Sequence, residues 1–564
     1  MPPILLYERN KPYILEQFHN GHFDYIDVVQ EVVQRDFFRY VTSGLLLERL
    51  AQSYPWPRQK EEVPRWFYIA ADMAMRLHGN HAFAGFPWVV STGGLLSGFG
   101  PELGTRRIDR DTGQLRVECP GFNDKNDYPR QTPCDADYLR KIARDTPAES
   151  LMAWFNGPVQ STFRRHRFFD KAGIFIGDGS YIFVPDNPNY VGSAKLLFDE
   201  HNHPVGKKEQ ESMSAAKLKM CQWRRCYKMI SLLHTNPQGD FFLYAGMRIV
   251  PGNEHEGPVL WEMVDAFVSV MGKDVIKDLI LDRGFLDGAA IAKVKRAYHI
   301  DVTIGVKRNM NVLEDALGLV GLPEVQWERH TRQPSEPPVP FTRHHTDAPR
   351  PEHIQRREAA RQRTLEQQRA AGERPPLKAP EQILATRIKT LNSWKSCTVP
   401  LDLVLCRDAH HDSLDEVWGI LCTAGHETQA LPALKRYHLR VLIEERHRHL
   451  KCFWDLAEFT SPCFALVANQ IIFTALTYSL LQQQIFRQAR KALNKATKSR
   501  MLEELVPVSE HVIVYTDGYY AEFDKLEYTT MVLDVPENAR QKLRELIHRK
   551  RSQMRLTRAT DCSP

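Results

Sequence analysis

Apolar residues recur at three- and four-residue spacing through much of the first 165 residues, which is the pattern of helices that bury one face. The segments DYIDVVQEVVQRDFFRYV and WFYIAADMAMRLHG show this spacing most clearly. From Lys171 onward the pattern changes, and short apolar runs alternate with turn residues. This change predicts a mainly helical N-terminal region followed by a sheet.

The apolar runs after Lys171 predict a mixed sheet. Four runs read as neighbouring antiparallel strands, namely GIFIGDGSYIF, AKLLFDEHN, KMISLLHT and FFLYAGMRIV. A helical pattern (Gly257 to Val270), the strand DVIKDLILD, a short helix (Asp287 to Ala297) and the strand IDVTIGVK follow. Several strands followed by alternating helices and strands is the order of an α/β domain of the RNase H type.

The sheet pattern stops after about residue 330. Residues 331–380 are rich in Pro, Arg and Gln, and this composition favours a solvated insertion over an arm that contacts DNA or a partner. The strand-like runs VPLDLVLC and VWGILCTAG come next. We therefore expect a helical N-terminal region, the first part of an RNase H-like core, an insertion, the second part of the core and a C-terminal region, with the boundaries 1–165, 166–310, 311–430, 431–500 and 501–564.

Composition narrows the class of protein only slightly. A chain of 564 residues suits several domains, and a formal net charge of +6 permits a polyanionic partner without demanding one. The ten cysteines are scattered singly, which favours reduced thiols in the cytoplasm and no zinc site. The start of the chain lacks the pattern of a secretory signal. The apolar run from Leu466 to Leu481 contains Asn469 and Gln470, so we expect a buried helix and no membrane span.

The segment from Arg436 to Leu456 carries the most informative polar pattern. On a helical wheel its Tyr437, Arg440, Glu444 and Lys451 fall within a wedge of roughly 60°. Most apolar residues lie on the opposite side: Leu439, Leu442, Ile443, Leu450, Phe453 and Trp454. Such a polar face is either a solvated surface with intrahelical ion pairs or a site for phosphate and a metal ion.

The spacing Y-x-x-R-x-x-x-E-x-x-x-x-x-x-K of these four residues resembles the signature of the family-four group of bacterial insertion-sequence DDE transposases. The resemblance implies that Glu444 is the last acid of a catalytic triad. It places the first acid on the first strand of the core, where Asp178 stands in GIFIGDGSYIF. The second acid ends a later strand in a D-R-G-F sequence, which here is Asp282 to Phe285. For Asp178 the alternative is a bulge or turn residue. Asp287 competes with Asp282, but it more plausibly caps the next helix.

The resemblance also implies a mechanism and partners. Three carboxylates would hold two Mg²⁺ ions, with Mn²⁺ as a substitute, because oxygen ligands suit hard cations. Water would nick the transposon end, and the freed 3′-hydroxyl would attack DNA. The residues implied to bind DNA are Tyr437, Arg440, Lys451 and Arg283. Trp418 is a further candidate for stacking on a base, although core packing is favoured for it. The partners are double-stranded DNA, as terminal inverted repeats and target, and a second copy of the chain in a homodimer. The expected location is the bacterial nucleoid, with no membrane.

Two alternatives to a transposase remain open. One is a domesticated relative that binds DNA without cutting it, and the other is a structure-specific nuclease with an RNase H fold. A two-carboxylate hydrolase of sugars has no comparable motif. His201 and His203, in DEHNHP, could pair around a metal ion, but a hairpin turn is favoured for them.

Overall fold

In a computed structural model of the protein, residues 8–86, 105–108, 115–118, 136–332, 381–490, 493–494 and 509–545 are described, together with 363, 367 and 548. Short gaps lie at 24, 32–33, 60, 62, 411–415, 424–428 and 518. Within this part, the strands are β1 (Glu8–Arg9), β2 (Tyr25–Glu31), β3 (Thr105–Ile108), β4 (Leu115–Glu118), β5 (Ile174–Val184), β6 (Ala194–Phe198), β7 (Gln222–Thr235), β8 (Leu243–Pro251), β9 (Asp278–Leu281), β10 (Asp301–Gly305), β11 (Glu328–Arg332), β12 (Glu381–Leu391), β13 (Leu401–Asp408), β14 (Trp418–Thr423), β15 (Ser509–Thr516) and β16 (Tyr519–Asp524).

The helices fall into an N-terminal group and a later group. The first group is Lys11–His19, Gln34–Thr42, Leu46–Ser53, Arg65–His78, Ala136–Asp145, Ala148–Trp154 and Gln160–Arg165. The later helices are Lys207–Ser212, Ala215–Met220, Glu256–Met271, Gly288–Tyr298, Asn311–Leu319, Ala430–His438, Arg440–Phe453, Phe464–Arg487 and Lys525–Asp534. The chain divides into two units. A terminal unit comprises Met1–Trp154, Leu450–Gln488 and Lys495–Pro564, and a central unit comprises Phe155–His449 and Ala489–Asn494.

One mixed sheet of ten described strands organises the central unit. Its order is β11-β12-β13-β14-β10-β9-β5-β7-β6, and β8 pairs with β7 outside this path. Strands β5, β9 and β10 are mutually parallel, whereas β7 runs antiparallel to β5 and to β8. The order β8-β7-β5-β9-β10 is that of an RNase H-like core, which confirms the α/β class expected from the sequence.

The helices on this sheet bury the faces that their apolar periodicity predicts. The helix Glu256–Met271 buries Leu260, Val264 and Phe267 in the same core as Phe175 and Leu281 from the strands. The helix Gly288–Tyr298 begins at Asp287, whose side chain accepts a hydrogen bond from the backbone N–H of Ala290 at 3.0 Å. The capping role predicted for Asp287 is therefore confirmed.

The insertion extends the core sheet. Strand β14 pairs antiparallel with β10, and β13, β12 and β11 continue the sheet outward from it. The strands β13 and β14 correspond to the runs VPLDLVLC and VWGILCTAG, whereas the sequence pattern did not predict β11 and β12. The Pro- and Arg-rich segment 331–380 falls outside the described residues, apart from the last two residues of β11 and residues 363 and 367.

The terminal unit contains a second sheet built from both ends of the chain, in the order β1-β16-β15-β2. The helical prediction for DYIDVVQEVVQRDFFRYV is wrong in its first half, because Tyr25–Glu31 is a strand paired with β15 and only Gln34–Thr42 is helical. The predicted helix in WFYIAADMAMRLHG is confirmed as Arg65–His78, and Gly79 ends it with a positive φ of 71°.

One described helix, Phe464–Arg487, is long and apolar enough to cross a membrane, but 83% of its apolar window is buried inside the protein. Its buried Asn469 donates a hydrogen bond from its side-chain amide to Asp72 at 2.6 Å, and Asp72 is paired with Arg76 on its other side. Such satisfied polar groups are typical of a core helix, which agrees with the expectation from Asn469 and Gln470.

Candidate active site

The register of the parallel strands places Asp178 and Asp282 side by side. The pairing of β5 with β9 ends at Gly177 opposite Leu281. Asp178 is the next residue on β5, and Asp282 is the next residue after β9. Because the two strands run parallel, both acids emerge at the same edge, where their strands stop pairing.

The helix Arg440–Phe453 brings Glu444 to this edge. The Arg440 guanidinium forms an ion pair with Glu444, one helical turn away, and its Nη1 lies 3.9 Å from Oδ1 of Asp282. The side chains of Asp282 and Glu444 are 39% and 51% exposed, so both carboxylates can be reached from solvent. Arg440 therefore links the last two of the three predicted acids.

Asp178 lies in a more enclosed position and carries unfavourable charge around it. Burial is the main cause that raises its carboxyl pKa from 3.8 to about 7. The negative charges of Glu444 and Glu256 raise this pKa further, whereas the backbone N–H of Gly179 and the Arg440 cation oppose the rise. The three predicted acids thus share one electrostatic environment.

Tyr437 lies at the end of the third parallel strand. A Cβ atom added at Gly305, the last residue of β10, would come within 2.6 Å of the Tyr437 hydroxyl oxygen, so this glycine makes room for the phenol. The Arg440 guanidinium lies 5.9 Å from the centre of the Tyr437 ring, and burial raises the pKa of the hydroxyl. Tyr437 and Arg440 therefore stand together beside Asp282.

The helical wheel drawn for Arg436 to Leu456 is wrong in one respect, because the segment forms two helices. Tyr437 belongs to Ala430–His438 and Glu444 to Arg440–Phe453. Between them, the N–H of Leu439 bonds to the carbonyl of Arg436, and the N–H of Leu442 bonds to that of Leu439, which is the tighter three-residue pattern of a helix end.

The three other residues predicted to contact DNA lie at different distances from the acids. Arg283 is exposed beside Asp282, and Lys451 lies on the Glu444 helix two turns further on, about 10 Å along the axis. Trp418 is 38% exposed, and its ring centre lies 6.5 Å from that of Tyr437. The core packing favoured for Trp418 is therefore wrong, since the indole lies on the surface next to the tyrosine.

Glu256 is a fourth acid at this edge, and the sequence analysis missed it. It is the first residue of the helix Glu256–Met271, and its carboxylate lies between the glycines that follow Asp178 and Asp282. A Cβ at Gly179 would approach Oε2 of Glu256 to 2.4 Å, and a Cβ at Gly284 would approach Oε1 to 3.0 Å. Lys228, with its Nζ 3.6 Å from Oε2, is the nearby cation. Gly179 and Gly284 were the signal in the sequence that could have indicated a further group at this edge, because each follows a predicted acid closely.

No three His, Cys, Asp or Glu side chains in the described part of the chain are grouped closely enough to form a ready-made metal site. The donors at the strand edge nevertheless fit a hard divalent cation, because all are carboxylate oxygens. Their mutual repulsion, which raises the pKa of Asp178, is what a bound cation would relieve. His201 and His203 instead belong to the turn after β6, where their backbone N–H groups donate to Asp199.

The fold and the site define an RNase H-like domain with carboxylates at the ends of its parallel strands. Residues 192–480 match the family described as the Transposase DDE domain, and the chain belongs to this family. The matched stretch includes Asp282 and Glu444, whereas Asp178 precedes it. No curated protein matches the chain. This membership confirms the resemblance to DDE transposases that the sequence predicts.

Proposed function

We propose that this transposase cuts DNA at the ends of its element and joins the freed 3′-hydroxyl to target DNA. The observation that supports this most directly is the strand register, which leaves Asp178 and Asp282 adjacent at the edge that Glu444 approaches. A triad on two strands and one helix is the arrangement that the family-four resemblance leads us to expect.

Asp178, Asp282 and Glu444 are the proposed catalytic acids, and they would hold two Mg²⁺ ions or Mn²⁺ in their place. When bound, such ions activate an attacking oxygen and stabilise the leaving oxygen of a phosphodiester. The protein contributes the placement of the carboxylates. Arg440 keeps Glu444 turned toward Asp282, because it contacts both side chains.

Tyr437, Arg440, Arg283 and Lys451 are the proposed contacts to DNA phosphates near the cleaved bond. Guanidinium and ammonium groups offset phosphate charge, and the Tyr437 hydroxyl can donate a hydrogen bond to it. Trp418 is proposed to stack on an unpaired base, since its ring is exposed beside Tyr437. The family-four type of the transposase rests on the spacing of Tyr437, Arg440, Glu444 and Lys451.

The remaining regions are assigned by analogy with the family. We propose that residues 1–165 read the terminal repeats, with the core in two parts at 166–310 and 431–500 around the insertion 311–430. Residues 501–564 are proposed to support dimerisation or DNA contact. Two copies would act together because two element ends must be cut in one complex, so a homodimer on double-stranded DNA is expected.

A cleavage and joining assay on DNA that carries the sequences on both sides of the reading frame tests this proposal. With Mg²⁺ we expect nicked repeat ends and their joining to a target plasmid. Asp178→Asn, Asp282→Asn and Glu444→Gln should each reduce both products at least about 10³-fold, since each removes a metal-binding charge. Glu262→Gln, an exposed acid on the Glu256–Met271 helix, serves as the control and should leave both unchanged.

Each of the other outcomes of this assay would indicate a different function for the protein. Binding of the repeats without any cut would favour a domesticated, non-cleaving relative. Cleavage of branched DNA without end joining would favour a structure-specific nuclease. Full cleavage by Asp178→Asn would show that the triad is wrongly assigned.

A further inference from the structure

A buried histidine lies between two members of the proposed triad. His447 follows Glu444 by three residues, so it projects from nearly the same side of the helix Arg440–Phe453, one turn further on. Its side chain is only 3% exposed. The imidazole Nε2 lies 2.7 Å from the hydroxyl oxygen of Ser231, and Nδ1 lies 3.6 Å from Oδ2 of Asp178.

The sheet register explains why one imidazole meets both groups. Ser231 of β7 is directly opposite Asp178 of β5, and residues opposite each other in an antiparallel pair present their side chains on the same face. Ser231 is completely buried. The hydrogen bond to Ser231 therefore fixes the ring at a point where its other nitrogen faces the Asp178 carboxylate.

The ring of Tyr244 covers the imidazole from another direction. Its centre lies 6.4 Å from that of His447, and the two planes differ by 18°. Because Tyr244 belongs to β8, the histidine is enclosed by residues of three strands, β5, β7 and β8, and by its own helix. Such enclosure limits the orientations of the ring and excludes water from it.

We propose that His447 is a positioning residue of the catalytic site, which joins the Glu444 helix to the strand of Asp178 and orients the Asp178 carboxylate. This inference rests on the proposed function of the three acids. The side chain of His447 is buried, so its proposed effect passes through Asp178 and Glu444. At 3.6 Å the contact with Asp178 is longer than an ordinary hydrogen bond, and it sets direction and spacing.

Binding of Mn²⁺, measured by titration calorimetry, and cleavage kinetics together test the positioning role. His447→Leu keeps most of the volume but removes both nitrogens, so Mn²⁺ affinity and cleavage should fall by about 10- to 100-fold. His447→Gln should recover part of each loss, because its amide can accept from Ser231 and donate toward Asp178. Ser231→Ala keeps the imidazole of His447 but removes its hydrogen bond to Ser231. Mn²⁺ affinity and cleavage should therefore each fall several-fold.

His449→Leu is the matched control, since His449 is another buried histidine of the same helix. It should lower the melting temperature but change Mn²⁺ affinity by no more than about threefold. If His447→Leu folds and binds Mn²⁺ like the wild type, the positioning role is wrong. If that variant does not fold, unchanged Mn²⁺ affinity in Ser231→Ala overturns the role instead. A wild-type protein that binds no Mn²⁺ would refute the proposed function itself.

Discussion

The ionised carboxyl of Asp178 lowers the stability of the folded protein, because it is buried and lies near other negative charges. Its pKa is raised from 3.8 to about 7 by burial and by the charges of Glu444 and Glu256. In the window between these values, the folded carboxyl keeps a proton that the unfolded chain has released. Stability from this group is therefore lost as pH rises from about 4 to 7, and the ionised form stays disfavoured above that.

Asp178→Asn should consequently stabilise the metal-free protein. The neutral amide removes the cost of an ionised buried carboxylate, so we expect a gain of about 2–4 kcal/mol in unfolding free energy at pH 8 and almost none at pH 4. Thermal unfolding in EDTA across this pH range measures the difference. A gain of equal size at every pH would show that charge is not its cause.

Gly179 offers a test of the space that Glu256 occupies. A methyl group in Gly179→Ala would meet Oε2 of Glu256 at 2.4 Å, so the carboxylate must move. We expect a cost of about 1–3 kcal/mol and at least a tenfold loss of cleavage. Gly206→Ala, where a Cβ meets nothing within 4 Å, is the control. If Gly179→Ala and Gly206→Ala showed equal stability and equal cleavage, the Glu256 carboxylate would not depend on the space at Gly179.

Candidate site residues could be proposed from the sequence where a local motif contains them. Glu444, Asp178 and Asp282 were proposed from helix spacing, strand position and the D-R-G-F context, and their catalytic role stays a prediction. Glu256 and His447 were not, because their neighbours come from strands far away in sequence. Only the register of β5 with β7 and β9 brings Ser231, Gly179 and the acids to one place.

Asp282 and Asp287 lie close together in sequence, but their side chains make different contacts. Asp287 bonds the backbone N–H of Ala290, whereas Asp282 faces Arg440. Asp287→Ala should lower the unfolding free energy by about 1 kcal/mol and leave Mn²⁺ binding intact. Asp282→Ala should abolish Mn²⁺ binding with little loss of stability. Denaturant unfolding and calorimetry on both variants check this, and the reverse result would exchange their roles.

Helices and strands were predicted correctly where the spacing of apolar residues was regular. They were predicted incorrectly where pairing with a distant strand determines the secondary structure. The strands β5, β7, β8, β9 and β10 carry apolar runs that are bounded by turn residues. Strand β2 was taken for a helix because Val, Ile and Gln at mixed spacing fit both states, and pairing with β15 decides between them. The break at Leu439 has no Gly or Pro to mark it, so the motif spacing suggested one continuous helix.

The two ends of the chain share one sheet, which makes the terminal unit dependent on its last segment. Strand β15 lies between β2 and β16, and β16 pairs with β1. Deletion of residues 509–564 should therefore leave β1 and β2 without partners. Limited proteolysis with mass spectrometry should show rapid cleavage between residues 8 and 31 in the truncated protein only. Equal protection in both proteins would mean that this sheet does not stabilise the N-terminal strands.

The architecture of the whole molecule could be predicted only in its central part. The succession of strands and helices indicates an RNase H-like core, since these contacts are made between segments close in sequence. The joining of β2 to β15 could not be foreseen, because no local pattern encodes a pairing across almost the entire chain. The addition of β14 to β10 was equally hidden, since an edge strand accepts any extended segment of suitable register.

The shared terminal sheet also has a consequence for biosynthesis. Strand β2 emerges from the ribosome long before β15, because the whole central unit is encoded between them. At a usual rate of translation the interval between them is roughly 25 to 100 s. Throughout this time β2 lacks its partner, and the sheet of the terminal unit can form only after β15 has been made. Each newly made molecule thus completes the sheet that contains β2 only after its central unit has been synthesised.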